Sequence, residues 1–261
     1  MPRTAVLRQS SAMCFDHLPD DRPWPQEGRE RLIIPAPVAI VGTGQSTGEH
    51  EALARLSPDT VMMMGDNPAL PRMPEAPTLL DFFRHRITGI TGRHLMGSAK
   101  RAMDAGMEEK VVLACLLHDI SNGCLIRTDH GYWGAQMIAP YVDEEVAWAV
   151  QYHQALRYFA DESVGYTYPE SYHRFFGEDF VPPDYIRRDA EYARGHRWYM
   201  SARHVTLNDI YFFDDMGETP DPEIFTDLIG RHFRQPSQGL GFDGSPTAHM
   251  WRTMIWPNNF L

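Results

Sequence analysis

Apolar and polar positions first fall into a regular pattern at Thr78, where Leu79, Leu80, Phe82 and Phe83 begin one apolar face at helical spacing. His94, Leu95, Ala99 and Met103 predict a second helix, stopped near Gly106. Met107 to Ile120 reads as a third, with Glu108 and Glu109 at its positive N-terminal end and an unbroken apolar run from Val111 to Leu117. A short helix is predicted over Gly131 to Tyr141 and a long one over Asp143 to Phe159, opened by Asp143-Glu144-Glu145. Gly165 to Pro183 is aromatic and punctuated by proline, which predicts an elaborated loop with a turn of helix. One or two helices are expected between Asp184 and Asp215, and another from Pro222 to Phe233.

The flanks lack this pattern. Residues 1–30 are polar and proline-interrupted, and Arg31 to Val41 suits a short extended segment broken by Pro35 and Pro37. The glycines of Gly42-Thr-Gly-Gln-Ser-Thr-Gly48 invite a dinucleotide-binding reading, but the proline-rich stretch Pro68 to Pro77 follows where that motif needs a helix and a second strand. A plain loop is the expectation. The tail from Gln235, rich in Gly, Pro and Asn, reads as irregular. The organisation expected is therefore an N-terminal extension over 1–77, with the place of a lid or an oligomer contact, a helical domain over 78–234, and an irregular tail over 235–261.

Bulk chemistry narrows the classes. The 261 residues carry 35 acidic and 24 basic side chains, a formal charge of −11, which argues against a nucleic-acid binder needing a basic face. A small anionic substrate remains compatible, since one local arginine can override a distant acidic surface. The three cysteines, Cys14, Cys115 and Cys124, form no CxxC pair. No apolar run approaches a signal-peptide core or the roughly 20 residues of a membrane span. The expected setting is soluble and cytoplasmic, with no membrane partner.

The candidate chemistry centres on His118-Asp119, which ends the apolar run of the third helix. Two ionisable groups leaving a buried helix need a compensating partner, and a metal ion supplies one. His94 lies upstream, His130 and His153 lie downstream, and Asp214-Asp215 follows a later apolar stretch, with Asp209 a close competitor for the same role. Each lies on or beside a predicted helix, so a bundle could point all of them inward. Imidazole and carboxylate suit iron, manganese or zinc. Asp119 is the natural bridging group between two metals. Taken singly, His94 or His130 reads as an ordinary satisfied side chain, and Asp214 as part of a solvated acidic turn.

His94, His118-Asp119 and a later aspartate resemble the HD-domain superfamily of metal-dependent phosphohydrolases, with His130 and His153 in the arrangement of its dinuclear members. The segments His130-Gly-Tyr-Trp-Gly-Ala-Gln-Met-Ile, His153-Gln-Ala-Leu-Arg-Tyr-Phe and Phe213-Asp214-Asp215 are similar to those of its mixed-valent diiron oxygenases, which include phosphonate-cleaving enzymes and, more distantly, myo-inositol oxygenase. The resemblance covers roughly residues 85 to 216. It implies an all-α HD-domain helical bundle with an irregular N-terminal extension, and two iron ions, Fe(II) and Fe(III). One would be held by His94, His118, Asp119 and Asp214, the other by Asp119, His130 and His153.

Arg157 falls where the phosphonate-cleaving relatives place a basic residue against the anionic end of substrate, and its planar fork suits that task; the alternative is a surface residue paired to Asp161. Two positions depart from those relatives: Asn122 stands where they carry a histidine, and Arg84 where they carry a tyrosine. Asn122 retains an amide that can bind substrate. The resemblance therefore implies a diiron oxygenase using O2 to oxidise or cleave a small, polar, anionic, hydroxylated substrate. The alternative is a phosphohydrolase with manganese or zinc on the same ligands. Tyr152, Tyr158, Phe159, Tyr166 and Tyr168 are candidates to wall the site or to fill the core.

Overall fold

A computed structural model describes residues 70–124, 128–209 and 218–255, except the side chains of residues 174 and 175. Residues 1–69 of the N-terminal extension, with its glycine-spaced segment, lie outside the described residues, as do Asp214, Asp215 and Cys14. The fold is all-α, as the pattern predicts, with ten α-helices and short 3₁₀ turns among the described residues.

Helix α1 (Leu79–His85) begins at a capping box: the Thr78 hydroxyl accepts from the Asp81 amide while the Asp81 carboxylate accepts from the Thr78 amide. Helix α2 (Gly89–Asp104) buries His94, Leu95, Ala99 and Ala102. Helix α3 (Glu109–Leu117) is enclosed from Val111 onward, which explains its unbroken apolar run. It ends at Leu117, and a 3₁₀ turn over Ile120–Gly123 follows.

Helices α4 (His130–Ile138) and α5 (Glu144–Leu156) form an antiparallel pair. A Cβ added at Gly131 would lie 2.7 Å from the Gln151 carbonyl and 3.0 Å from Gln154 Cβ, so the glycine permits the close approach of α4 to α5. The aromatic, proline-punctuated loop contains helix α6 (Glu170–Phe176). The segment from Asp184 divides into α7 (Asp184–Arg194) and α8 (Tyr199–Asp209), separated at Gly195. Helix α8 packs on α5, α3 and α2, and α9 (Thr226–His232) packs on α3.

The tail read as irregular contains helix α10 (Ala248–Ile255), a correction to the sequence expectation. Its Trp251 is fully buried, 5.0 Å from the Phe82 ring, and donates its indole N–H to the Met137 carbonyl. Ala248, Met250, Trp251, Met254 and Ile255 supply an apolar face, but across too few turns to stand out among the neighbouring Gly, Pro and Ser residues. Cys115 and Cys124 are buried free thiols. No helix among the described residues is long and apolar enough to cross a membrane.

Candidate metal centre

Five helices deliver one cluster of imidazoles and carboxylates. His94 comes from the middle of α2 and His118 from the residue just past α3. His130 is the first residue of α4, His153 lies in the last turn of α5, and Asp209 closes α8. Three of these positions lie in or just beyond the last turn of a helix, where C-terminal carbonyls leave a partial negative charge that favours a cation. Asp119, at φ −107° and ψ 20°, occupies the sparsely allowed bridge region between α3 and the 3₁₀ turn.

The distances show how the groups converge. His94 Nε2 and His118 Nε2 are 2.9 Å apart, and Asp209 Oδ1 lies 3.0 Å from the first and 3.3 Å from the second. Asp119 faces both ways: Oδ2 is 3.7 Å from His94 Nε2, whereas Oδ1 is 3.2 Å from His130 Nε2 and 3.7 Å from His153 Nε2. The atoms form overlapping groups, His94–His118–Asp119 and Asp119–His130–His153, each with ligand atoms within 4.8 Å of one another, and a further group His118–His153–Asp209. His118 and His153 are fully buried, and His94 and His130 nearly so.

Proton positions decide what this arrangement needs. His118 Nδ1 donates to the Cys115 carbonyl at 2.8 Å, and His153 Nδ1 donates to the Val150 carbonyl at 2.5 Å. In a neutral imidazole the other nitrogen then carries a lone pair, so both Nε2 atoms present lone pairs to carboxylate oxygens that can only accept. Nε2 of His130 and of His153 is buried without a hydrogen-bond partner. Buried acceptors facing acceptors require a cation between them, a metal ion or protons. Without metal, burial opposes the charge on His118, but Asp119 and Asp209 outweigh it and push its pKa up to about 9. Burial holds His130 down at about 3, against the pull of Asp119. Burial works against ionisation of Asp119 as well, yet His130 and His118 keep it well below the usual carboxylate range. The donor set therefore fits divalent metal, with two half-sites sharing Asp119.

Asn122 spends its amide on Asp119, Nδ2 donating to Oδ2 at 2.9 Å, which orients that carboxylate. Arg157 makes no ion pair with Asp161 among the described residues; Asp161 instead accepts from Ser163 and Tyr199. The largely buried Arg157 guanidinium packs over the rings of Tyr158, Tyr172 and Phe176, at 4.9, 5.6 and 5.9 Å. Its Nη2 donates to the Tyr158 hydroxyl, whereas its Nε is buried without a partner. The charge of Arg157 opposes protonation of His130. Of the aromatic candidates, Tyr158 belongs to this wall, whereas Tyr152 packs at a tilt against Trp148 and Tyr192 in another aromatic group. Arg84 lies on the surface, bridging Asp81 and Glu223.

Sequence reasoning missed Arg203, which is completely buried. Its Nη1 donates to the Leu156 carbonyl at 3.1 Å, and its guanidinium lies 4.6 Å over the Tyr166 ring. The Tyr166 hydroxyl in turn donates to the Arg157 carbonyl at 2.6 Å. Two side chains thus satisfy carbonyls that the end of α5 leaves open, and they hold His153 and Arg157 in place. An arginine six residues before Asp209, within the helical segment expected between Asp184 and Asp215, was the available signal.

No curated protein matches the chain. Residues 91–170, which carry His94, His118, Asp119, His130 and His153, match the HD domain family, and this match supports placing the helical segment in the HD-domain superfamily.

Proposed function

We propose that the protein is an HD-domain enzyme with a dinuclear iron centre that uses O2 to oxidise or cleave a small, polar, anionic, hydroxylated substrate. The observation that carries this reading is the two-sided placement of Asp119, whose oxygens face different histidines and so suit a carboxylate shared by two metals. His94, His118, Asp119 and Asp209 would hold one ion; Asp119, His130 and His153 would hold the other and leave positions open to substrate. Asp209 takes the role assigned from sequence to Asp214. Iron supplies the redox chemistry with O2 when bound. The chain's own residues orient and enclose: Asn122 holds the shared carboxylate, Arg203 and Tyr166 hold the end of α5, and the rings around Arg157 exclude water. The unmet Nε–H of Arg157 would donate to the anionic end of the substrate.

The test is metal analysis of protein purified without added metal, with low-temperature EPR after partial reduction and O2 uptake against hydroxylated phosphonates, sulfonates and carboxylates. About two irons per chain, a coupled Fe(II)Fe(III) signal and substrate-dependent O2 uptake are expected. Arg157→Ala should keep the metal and weaken the substrate by roughly 10- to 150-fold, the worth of a hydrogen bond to a charged group. Manganese or zinc, with no such signal and with turnover of phosphate esters, overturns the oxygenase in favour of a phosphohydrolase on the same ligands.

A further inference from the structure

Outside the metal cluster, a cavity of about 330 Å³ opens between the start of α4, α5 and the first half of α7. Tyr132, Trp133 and Tyr185 line it together with Asp129 and Asp189, and no lysine, arginine or histidine does. The three rings are 42, 38 and 42% exposed, so apolar surface is left uncovered inside a concavity. Its size falls at the small end of the range for small-molecule sites, about 300–1,000 Å³.

The two carboxylates are held differently. The Tyr185 hydroxyl donates to Asp129 Oδ1 at 2.7 Å and fixes that side chain. Asp189 makes no hydrogen bond or ion pair with a described side chain. Burial raises its pKa and Asp129 adds to the rise, against the pull of Arg188. Two neighbouring negative charges and three electron-rich ring faces all favour a cation. A bare divalent ion is poorly served, because hard cations take six or more oxygen ligands and the ring faces offer none. An ion with alkyl surface around its charge satisfies both kinds of wall.

We infer that this cavity binds a small organic ammonium ion, its alkyl groups against Tyr132, Trp133 and Tyr185 and its charge toward Asp129 and Asp189. The site stands independently of the metal reading, although Asp129 immediately precedes His130 in the chain.

The test uses the full-length protein and tetramethylammonium chloride as the probe, followed by tryptophan fluorescence and calorimetry, with potassium chloride at equal ionic strength as the control. Saturable one-to-one binding is expected, unchanged after metal is stripped with EDTA. Asp189→Asn and Trp133→Leu should each weaken it by roughly 3- to 30-fold, the range of a lost cation–π or charge contact. Circular dichroism of both variants confirms that they fold. No saturation, an equal response to potassium, loss of binding on metal removal, or unchanged affinity in two folded variants would each overturn the assignment. Loss on metal removal alone would place the probe at the imidazole cluster instead.

Discussion

Replacing Asp209 by asparagine tests the assembly of the metal centre directly. Its Oδ1 is the carboxylate oxygen nearest His94 and His118, at 3.0 and 3.3 Å, whereas His130 and His153 meet Asp119. Asp209→Asn should therefore empty one half-site and spare the other, so that bound metal falls from about two ions per chain to about one, with Asp119 still serving the second. Asp119→Asn should lose both, and Asp214→Asn neither. Stability should follow the same order. An ion held at a hundred times its dissociation constant stabilises the fold by about 2.7 kcal/mol, and in a domain of this size each kcal/mol moves Tm by about 2–4 °C. Metal addition should then raise Tm by roughly 10–20 °C in the parent, about half that in Asp209→Asn, and scarcely at all in Asp119→Asn. Metal content by mass spectrometry and thermal melts before and after chelation give both numbers. Two ions retained by Asp209→Asn, together with one lost from Asp214→Asn, would refute the placement of Asp209 at the centre.

Gly131→Ala should cost about 1–3 kcal/mol in urea denaturation, because its Cβ would press on the backbone of α5; a neutral result would mean that α4 and α5 do not meet as closely as described. Trp251→Ala should cost about 3–5 kcal/mol, since the indole is fully buried and packs on Phe82; a cost under ~1 kcal/mol would detach α10 from the core. The metal-stripped protein should be most stable near pH 6.5. His118 is raised from 6.5 to about 9, so its contribution is complete below 6.5 and is lost as pH rises toward 9. His130 is depressed from 6.5 to about 3, so the unfolded chain takes up more protons there and stability falls as pH drops from 6.5 toward 3. Urea midpoints in EDTA at pH 5, 6.5 and 8.5 check this, and a steady rise across that series would contradict the acceptor-facing-acceptor geometry.

Much of this molecule was legible locally. Helical spacing announced α1 to α5, because a buried helix face must repeat every 3.6 residues whatever it packs against. His118-Asp119 was legible for a related reason: ionisable groups at the exit of a fully apolar helix are costly unless something compensates them. His94, His130 and His153 were identified through that pair and through family resemblance, and the fold brings all three to it.

Other features depended on contacts between segments distant in the chain. Along the sequence Asp214 came first with Asp209 as a close competitor; the packing of α8 on α5, α3 and α2 brings Asp209 to the cluster, whereas Asp214 lies outside the described residues. Whether Arg157 pairs with Asp161 or packs among aromatic rings turned on where α6 lies and on Tyr199 capturing Asp161. Helix α10 reads as tail composition until Phe82, Met137 and Tyr141 surround Trp251. The sequence by itself determined α1 to α5 and the side chains able to bind metal, since periodicity and side-chain chemistry are properties of short segments. The tertiary structure alone decided which of those residues meet, and whether each ring nitrogen points at a carbonyl or at a carboxylate, because that depends on how helices far apart in the chain pack against one another.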